Sequence, residues 1–152
     1  STKNVLEVVE RAIDDGVNIY RQLCLDGRFA PGAGACEIQL AHDIQHAAES
    51  EPGLEQYSIR KFAEALEVVP RTLAENAGLN PIQLVTELMA AHTAGQRNAG
   101  IDMRKATHAQ GKISDMFEAH VIAPLLVFSS AIQLATETVV MLLKIDNIVE
   151  TR

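Results

Sequence analysis

Val5, Leu6, Val9, Ala12, Ile13, Val17, Tyr20 and Leu23 recur at steps of three and four residues, the spacing that gathers side chains on one face of a helix. That pattern predicts a first helix over 3–25, capped by Ser1 or Thr2 and stopped at Gly27. Leu40, Ile44, Ala47 and Ala48 share one side of a second helix over 34–49, and Glu51-Pro52-Gly53 turns the chain after it. A third helix carries Leu54, Tyr57, Phe62, Ala65 and Leu66. Pro70 must break or kink it, because proline offers no N–H and its ring clashes with the preceding turn. A short fourth piece over 71–77 then ends at Gly78. Asn80 followed by Pro81 opens a fifth helix with Ile82, Val85, Leu88 and Met89 inward and Gly95 as its stop.

From 97 to 115 the periodicity is lost and Gly, Asp, Thr, His and Gln accumulate, which predicts a loop or short hairpin around Gly100-Ile101-Asp102 and Gly111-Lys112. An apolar helix over 124–142 follows, with Ala131, Leu134, Ala135, Val139 and Leu142 on its face. Lys144 to Val149 reads as an edge strand that must pair with something. The expected fold is therefore mainly α, a helical bundle with one short hairpin and a C-terminal edge strand.

Composition narrows the class of protein. A chain of 152 residues fits one domain, which on folding buries roughly 70% of the surface its unfolded form exposes. Of these residues 47% are hydrophobic and 22% charged, and no uninterrupted apolar run approaches the ~20 residues of a membrane span. The expectation is no membrane. A net charge of −7 argues against nucleic acid as a partner, since such binders carry a basic footprint. Cys24 and Cys36 are too few for a disulfide framework and lack Cys-x-x-Cys spacing. With no signal peptide ahead of them, a reducing cytoplasm is expected. The chain begins Ser-Thr-Lys and enters a helix at once, which reads as a piece of something longer.

Three short constellations carry candidate chemistry. Phe29-Ala-Pro-Gly-Ala-Gly-Ala-Cys-Glu37 lacks the third glycine of a dinucleotide fingerprint and the Gly-Lys-Ser/Thr of a P-loop. It is either an inter-helix turn or a place where backbone N–H groups approach a ligand. His42-Asp-Ile-Gln-His46 spaces two histidines four apart, as a shared metal requires. However, both fall on the polar side of the second helix, Asp43 stands where a general-base Glu is needed, and no third ligand is evident; no metal is expected here. Asp14 and Asp15 lie in mid-helix beside Gly16, a local departure from good helix formers that either makes a solvated acidic face or marks a working site.

Taken together, "VERAIDDGVNIYRQL", "FAPGAGACEIQLA", "PGLEQYSIRKFAEALEVVPRTLAENAGLNP", "NAGIDM" and "AIQLATETVVMLLKIDNIV" resemble the C-terminal part of a group II chaperonin subunit, most like the theta type of the eukaryotic cytosolic chaperonin TRiC. The resemblance runs through nearly the whole chain, and its 52–81 block is far more specific than a glycine turn.

What the resemblance implies is the C-terminal half of an equatorial ATPase domain over 1–152, with 1–25 the helix returning from the intermediate domain. It implies ATP with Mg as cofactor, partner subunits in a double eight-membered ring, and non-native proteins as substrates. It matches Asp15, with Asp14 only its neighbour, to an aspartate that aligns the hydrolytic water. Gly32, Ala33 and Gly34 match a glycine triplet lying against the nucleotide, the backbone near Gly100 and Asp102 lines the adenine side, and Ala123 matches an acid that meets the ribose. Two departures stand out: Ala33 replaces the middle glycine and Ala123 replaces the acid. The family's phosphate-binding and metal-binding glycine segments belong to its N-terminal half and do not occur in these 152 residues. A second reading is a free-standing truncated module that docks by the Ile145–Ile148 strand and has no ATPase activity.

Overall fold

The computed structural model describes residues 2–103 and 113–146. Six helices and four short strands follow in the order α1 (Thr2–Leu25), β1 (Phe29–Pro31), α2 (Ala35–Glu49), α3 (Glu55–Leu66), α4 (Val68–Asn76), α5 (Pro81–Thr93), β2 (Ala99–Ile101), β3 (Ile113–Asp115), β4 (Ile122–Pro124) and α6 (Leu125–Leu143). They form two compact units, one of Ser1–Phe29 with Ala123–Arg152 and one of Ala30–Ile122. β1 and β4 pair with each other.

Within Ala30–Ile122 the core is Ile38, Ala74, Leu84, Val85, Leu88, Ala99 and Ile101, contributed by α2, α4, α5 and β2. Small alanines on α2 and α4 let the helix backbones approach, while Leu84 and Leu88, one turn apart on α5, fill the space between. The hairpin expected near 97–115 is present: β2 and β3 run antiparallel with Gly100 opposite Ser114. Asn80 caps α5 as its sequence demands, its side-chain oxygen accepting from the N–H groups of Ile82 and Gln83 at 3.1 and 3.3 Å. Gly78 and Gly95 close α4 and α5 in the left-handed conformation (φ 70° and 92°), with Leu79 N–H donating to the Ala74 carbonyl and Gln96 N–H to that of Ala91.

Several details differ from the sequence expectations, beginning with Ile82, expected inward on α5 but exposed because the inward face is that of Leu84, Val85, Leu88 and His92. The break between α3 and α4 falls at Glu67, three residues before Pro70. Pro70 thus lies in the first turn of α4, where a missing N–H costs nothing because the first-turn donors have no helical partner. On α2, Ala47 is exposed, whereas Gln45 reaches inward and donates to Glu67 at 3.0 Å. Gly27 is not a left-handed cap; the chain turns there because Asp26 accepts from both the Arg28 N–H (3.1 Å) and its guanidinium (2.7 Å). Lys144 and Ile145 close α6 through N–H bonds to Met141 and Leu142, and the rest of the expected edge strand, 147–149, lies outside the described residues.

In the other unit α6 has no buried residue, and the α1 stripe Val5, Leu6, Val9, Ile13, Val17 and Tyr20 is exposed. With 19 residues and a mean hydropathy of 1.7 over an 18-residue stretch, α6 is long and apolar enough to cross a membrane by length and composition. Counting consecutive apolar residues passes over this, because Ser129, Ser130 and Gln133 interrupt the run.

Candidate functional site

Five of the seven residues singled out from the sequence come together in the Ala30–Ile122 unit. After β1 the chain makes a tight turn through Gly32, Ala33 and Gly34 into α2, closed by Ala35 N–H on the Gly32 carbonyl (3.1 Å) and Ile38 N–H on that of Gly34 (3.1 Å). The turn is tied from two sides. Gly32 N–H donates to the Val121 carbonyl at 2.9 Å, and Ile101 N–H donates to the Ala33 carbonyl at 3.0 Å. The second bond lays β2 against the turn, so that a Cβ on Gly100 would stand 3.1 Å from the Gly32 carbonyl oxygen and 2.5 Å from the Met116 side chain. Asp102, one residue beyond β2, is buried and accepts from the Ser114 hydroxyl at 3.1 Å.

Two of the turn residues adopt left-handed backbone. Gly34 has φ +80°, and a Cβ there would fall 2.7 Å from that of Pro70, so it is fixed by left-handed backbone and by α4 together. Ala33 also adopts positive φ, 53°, a conformation that costs an L-residue about 1–2 kcal/mol. Such strain persists where surrounding bonds over-determine the backbone, and here Ile101 N–H holds the Ala33 carbonyl. Glu37, in the first turn of α2, keeps Oε2 buried and without a hydrogen-bond partner among the described residues. Burial pushes its carboxyl above the usual range.

Asp15 and Ala123 belong to the other unit. Asp15 is exposed on α1. Arg11 and Asn18 lie within one helical turn of both Asp15 and Asp14, so spacing alone does not separate the two carboxylates. Ala123 is half-buried in β4, just before the buried Pro124. His42 and His46 bond locally to Asp43 (3.4 Å) and Glu49 (3.2 Å), and among the described residues no three His, Cys, Asp or Glu side chains gather as a cation site.

Sequence reasoning missed His92. It is buried, with Nε2 2.8 Å from the Ala99 carbonyl and Nδ1 2.8 Å from the Gln39 side-chain oxygen. The available signal was its place one turn beyond Leu84 and Leu88 on the inward face of α5. Pro70 and Met116, which decide where glycine is required, gave no such sign.

Comparison with known proteins defines the class. The chain matches, over 93% of its length at 38% identity with a TM-score of 0.77, an open-state monomer of a group II chaperonin from Methanococcoides burtonii, of which it covers 34%. The model of the TCP-1/cpn60 chaperonin family matches residues 1–152, and the chain belongs to that family. It is 43% identical over 152 residues to T-complex protein 1 subunit theta of Dictyostelium discoideum. To subunit delta of Homo sapiens it is 48% identical over the same 152 residues. It spans 27% of the length of either relative.

Proposed function

We propose that this chain is the C-terminal part of the equatorial ATPase domain of a chaperonin subunit, α1 returning from the intermediate domain, and that it supplies one wall of the nucleotide site. The observation that carries this reading is the bond from Ile101 N–H to the Ala33 carbonyl (3.0 Å). It joins the two segments, Gly32–Gly34 and Gly100–Asp102, that the family resemblance assigns to the nucleotide, although more than 60 residues of chain separate them.

The wall suits a nucleoside better than a metal. It is made of glycine and alanine backbone, and its one acid, Asp102, is buried and already bonded to Ser114. Mg and phosphate contacts fall to the N-terminal half of the subunit; ATP, when bound, supplies the phosphoanhydride that is cleaved. In this reading Asp15 orients the attacking water, and the exposed stripes of α1 and α6 pack against the remainder of the domain and not in a membrane. The complete subunit works in the cytoplasm, in a double eight-membered ring of related subunits, and uses ATP to fold non-native proteins such as actin and tubulin.

Ala123 provides the test. It stands where the family places a ribose-binding acid, and alanine accepts no hydroxyl bond. A hydrogen bond to a charged group is worth roughly 1.5–3 kcal/mol, so Ala123→Glu or Ala123→Asp in the complete subunit is expected to tighten ATP about ten-fold or somewhat more. The gain should vanish for dideoxy-ATP. Calorimetric titration with both nucleotides checks this, and an equal change for the two removes Ala123 from the site.

A further inference from the structure

Ala99, Gly100 and Ile101 are held against the glycine turn at one end by Ile101 N–H on the Ala33 carbonyl. The other end is held by a side chain that plays no part in the activity described above. His92 Nε2 lies 2.8 Å from the Ala99 carbonyl and Nδ1 2.8 Å from Oε1 of Gln39, while the Gln39 amide donates to Asp43 at 2.9 Å. Gln39 stands on α2, five residues beyond Gly34. The contacts therefore close a circuit: from Ala33 through Gly34 and the first turns of α2 to Gln39, across the imidazole to Ala99, and along β2 to Ile101 and back to Ala33.

Burial pushes the imidazole down, towards its neutral form with a single N–H. The Ala99 carbonyl can only accept, which places that N–H on Nε2; Nδ1 is then an acceptor, and the Gln39 amide meets it by turning its NH2 inward in place of its bond to the exposed Asp43. A histidine 3% exposed in a helix row otherwise filled by leucine is costly to desolvate unless both nitrogens are satisfied. Here both are satisfied by the two elements that carry the turn and the strand.

We propose that His92 is a positioning residue for the nucleotide wall: by bridging α2 and β2 it holds Gly100 and Ile101 against Gly32–Gly34. The proposal rests on the reading that these segments face ATP. Its test has two arms so that the clamp and that reading are judged separately.

The first arm needs no nucleotide. Glutamine places an N–H where Nε2 stands, asparagine only where Nδ1 stands. In the complete subunit without nucleotide, the Ile101 amide is expected to exchange with solvent about ten-fold faster in His92→Asn than in wild type, with Leu88 on α5 unchanged and His92→Gln close to wild type. Unchanged Ile101 exchange in His92→Asn overturns the clamp, as does equal acceleration at Leu88, which signals global loosening. Should the asparagine variant not fold, Gln39→Met cuts the same circuit from α2, and the same comparison of Ile101 with Leu88 decides.

The second arm adds ATP to the same complete subunit. His92→Asn is expected to raise KM for ATP about ten-fold with kcat within two-fold, and His92→Gln to restore KM. Faster Ile101 exchange with an unmoved KM overturns the positioning role and places the fault in the reading of the wall, not in the clamp.

Discussion

Asp15→Ala in the complete subunit is expected to slow single-turnover ATP hydrolysis by roughly 10²–10⁴-fold, the range for losing a positioned general base, while ATP affinity stays near its original value. Asp14→Ala should do far less. The difference follows from the family resemblance, which matches Asp15 and not Asp14 to the aspartate that aligns the water; Arg11 and Asn18 neighbour both carboxylates, so helix spacing does not separate them. Rapid-quench measurement at saturating ATP separates the chemical step from binding. Equal losses from the two variants would mean that the pair acts on the helix and that neither aligns the water.

Gly34→Ala is expected to destabilise the fold by about 2–5 kcal/mol, summing about 1–2 for a left-handed L-residue and about 1–3 for overpacking. The added methyl would meet the Pro70 ring at 2.7 Å while the backbone holds φ at +80°, and α4 can yield only by leaving the core that Ala74 helps to form. The opposite sign is expected at Gly16. It lies in mid-helix, and a methyl added there would meet no atom within 4 Å, so Gly16→Ala should stabilise by up to about 1 kcal/mol through helix propensity. Urea titrations of the two variants and wild type, followed by helical circular dichroism, check both signs. A neutral Gly34→Ala would show that Pro70 gives way and that the turn is less tightly built than its contacts indicate.

The helices were legible because their apolar residues recur at helical spacing, and Asn80-Pro81 and Gly95 mark their ends by chemistry that acts locally. The hairpin was legible from loss of that periodicity. The turn at Gly32–Gly34 was visible as a turn, but the reasons for its glycines were not, since they lie in Val121 and Pro70, far away along the chain. Long-range contact also explains the shifted break before Pro70 and the inward reach of Gln39 and Gln45, polar residues that α2 turns towards His92 and Glu67. Asp15 was separable from Asp14 only once the resemblance supplied a register; spacing alone left the pair open. His92 illustrates the remaining gap: its row on α5 predicts burial, but its partners come from two other elements that no local pattern connects.

The central claim, that Gly32–Gly34 and Gly100–Asp102 form a wall against ATP, is tested most directly by photolabelling the complete subunit with 8-azido-ATP and mapping the modified peptides. The azide sits on the adenine ring, so label is expected in the segments around 32–34 and 99–103 and should be lost when excess ATP competes. Competed label elsewhere in the subunit, with both segments unmodified, would contradict the account.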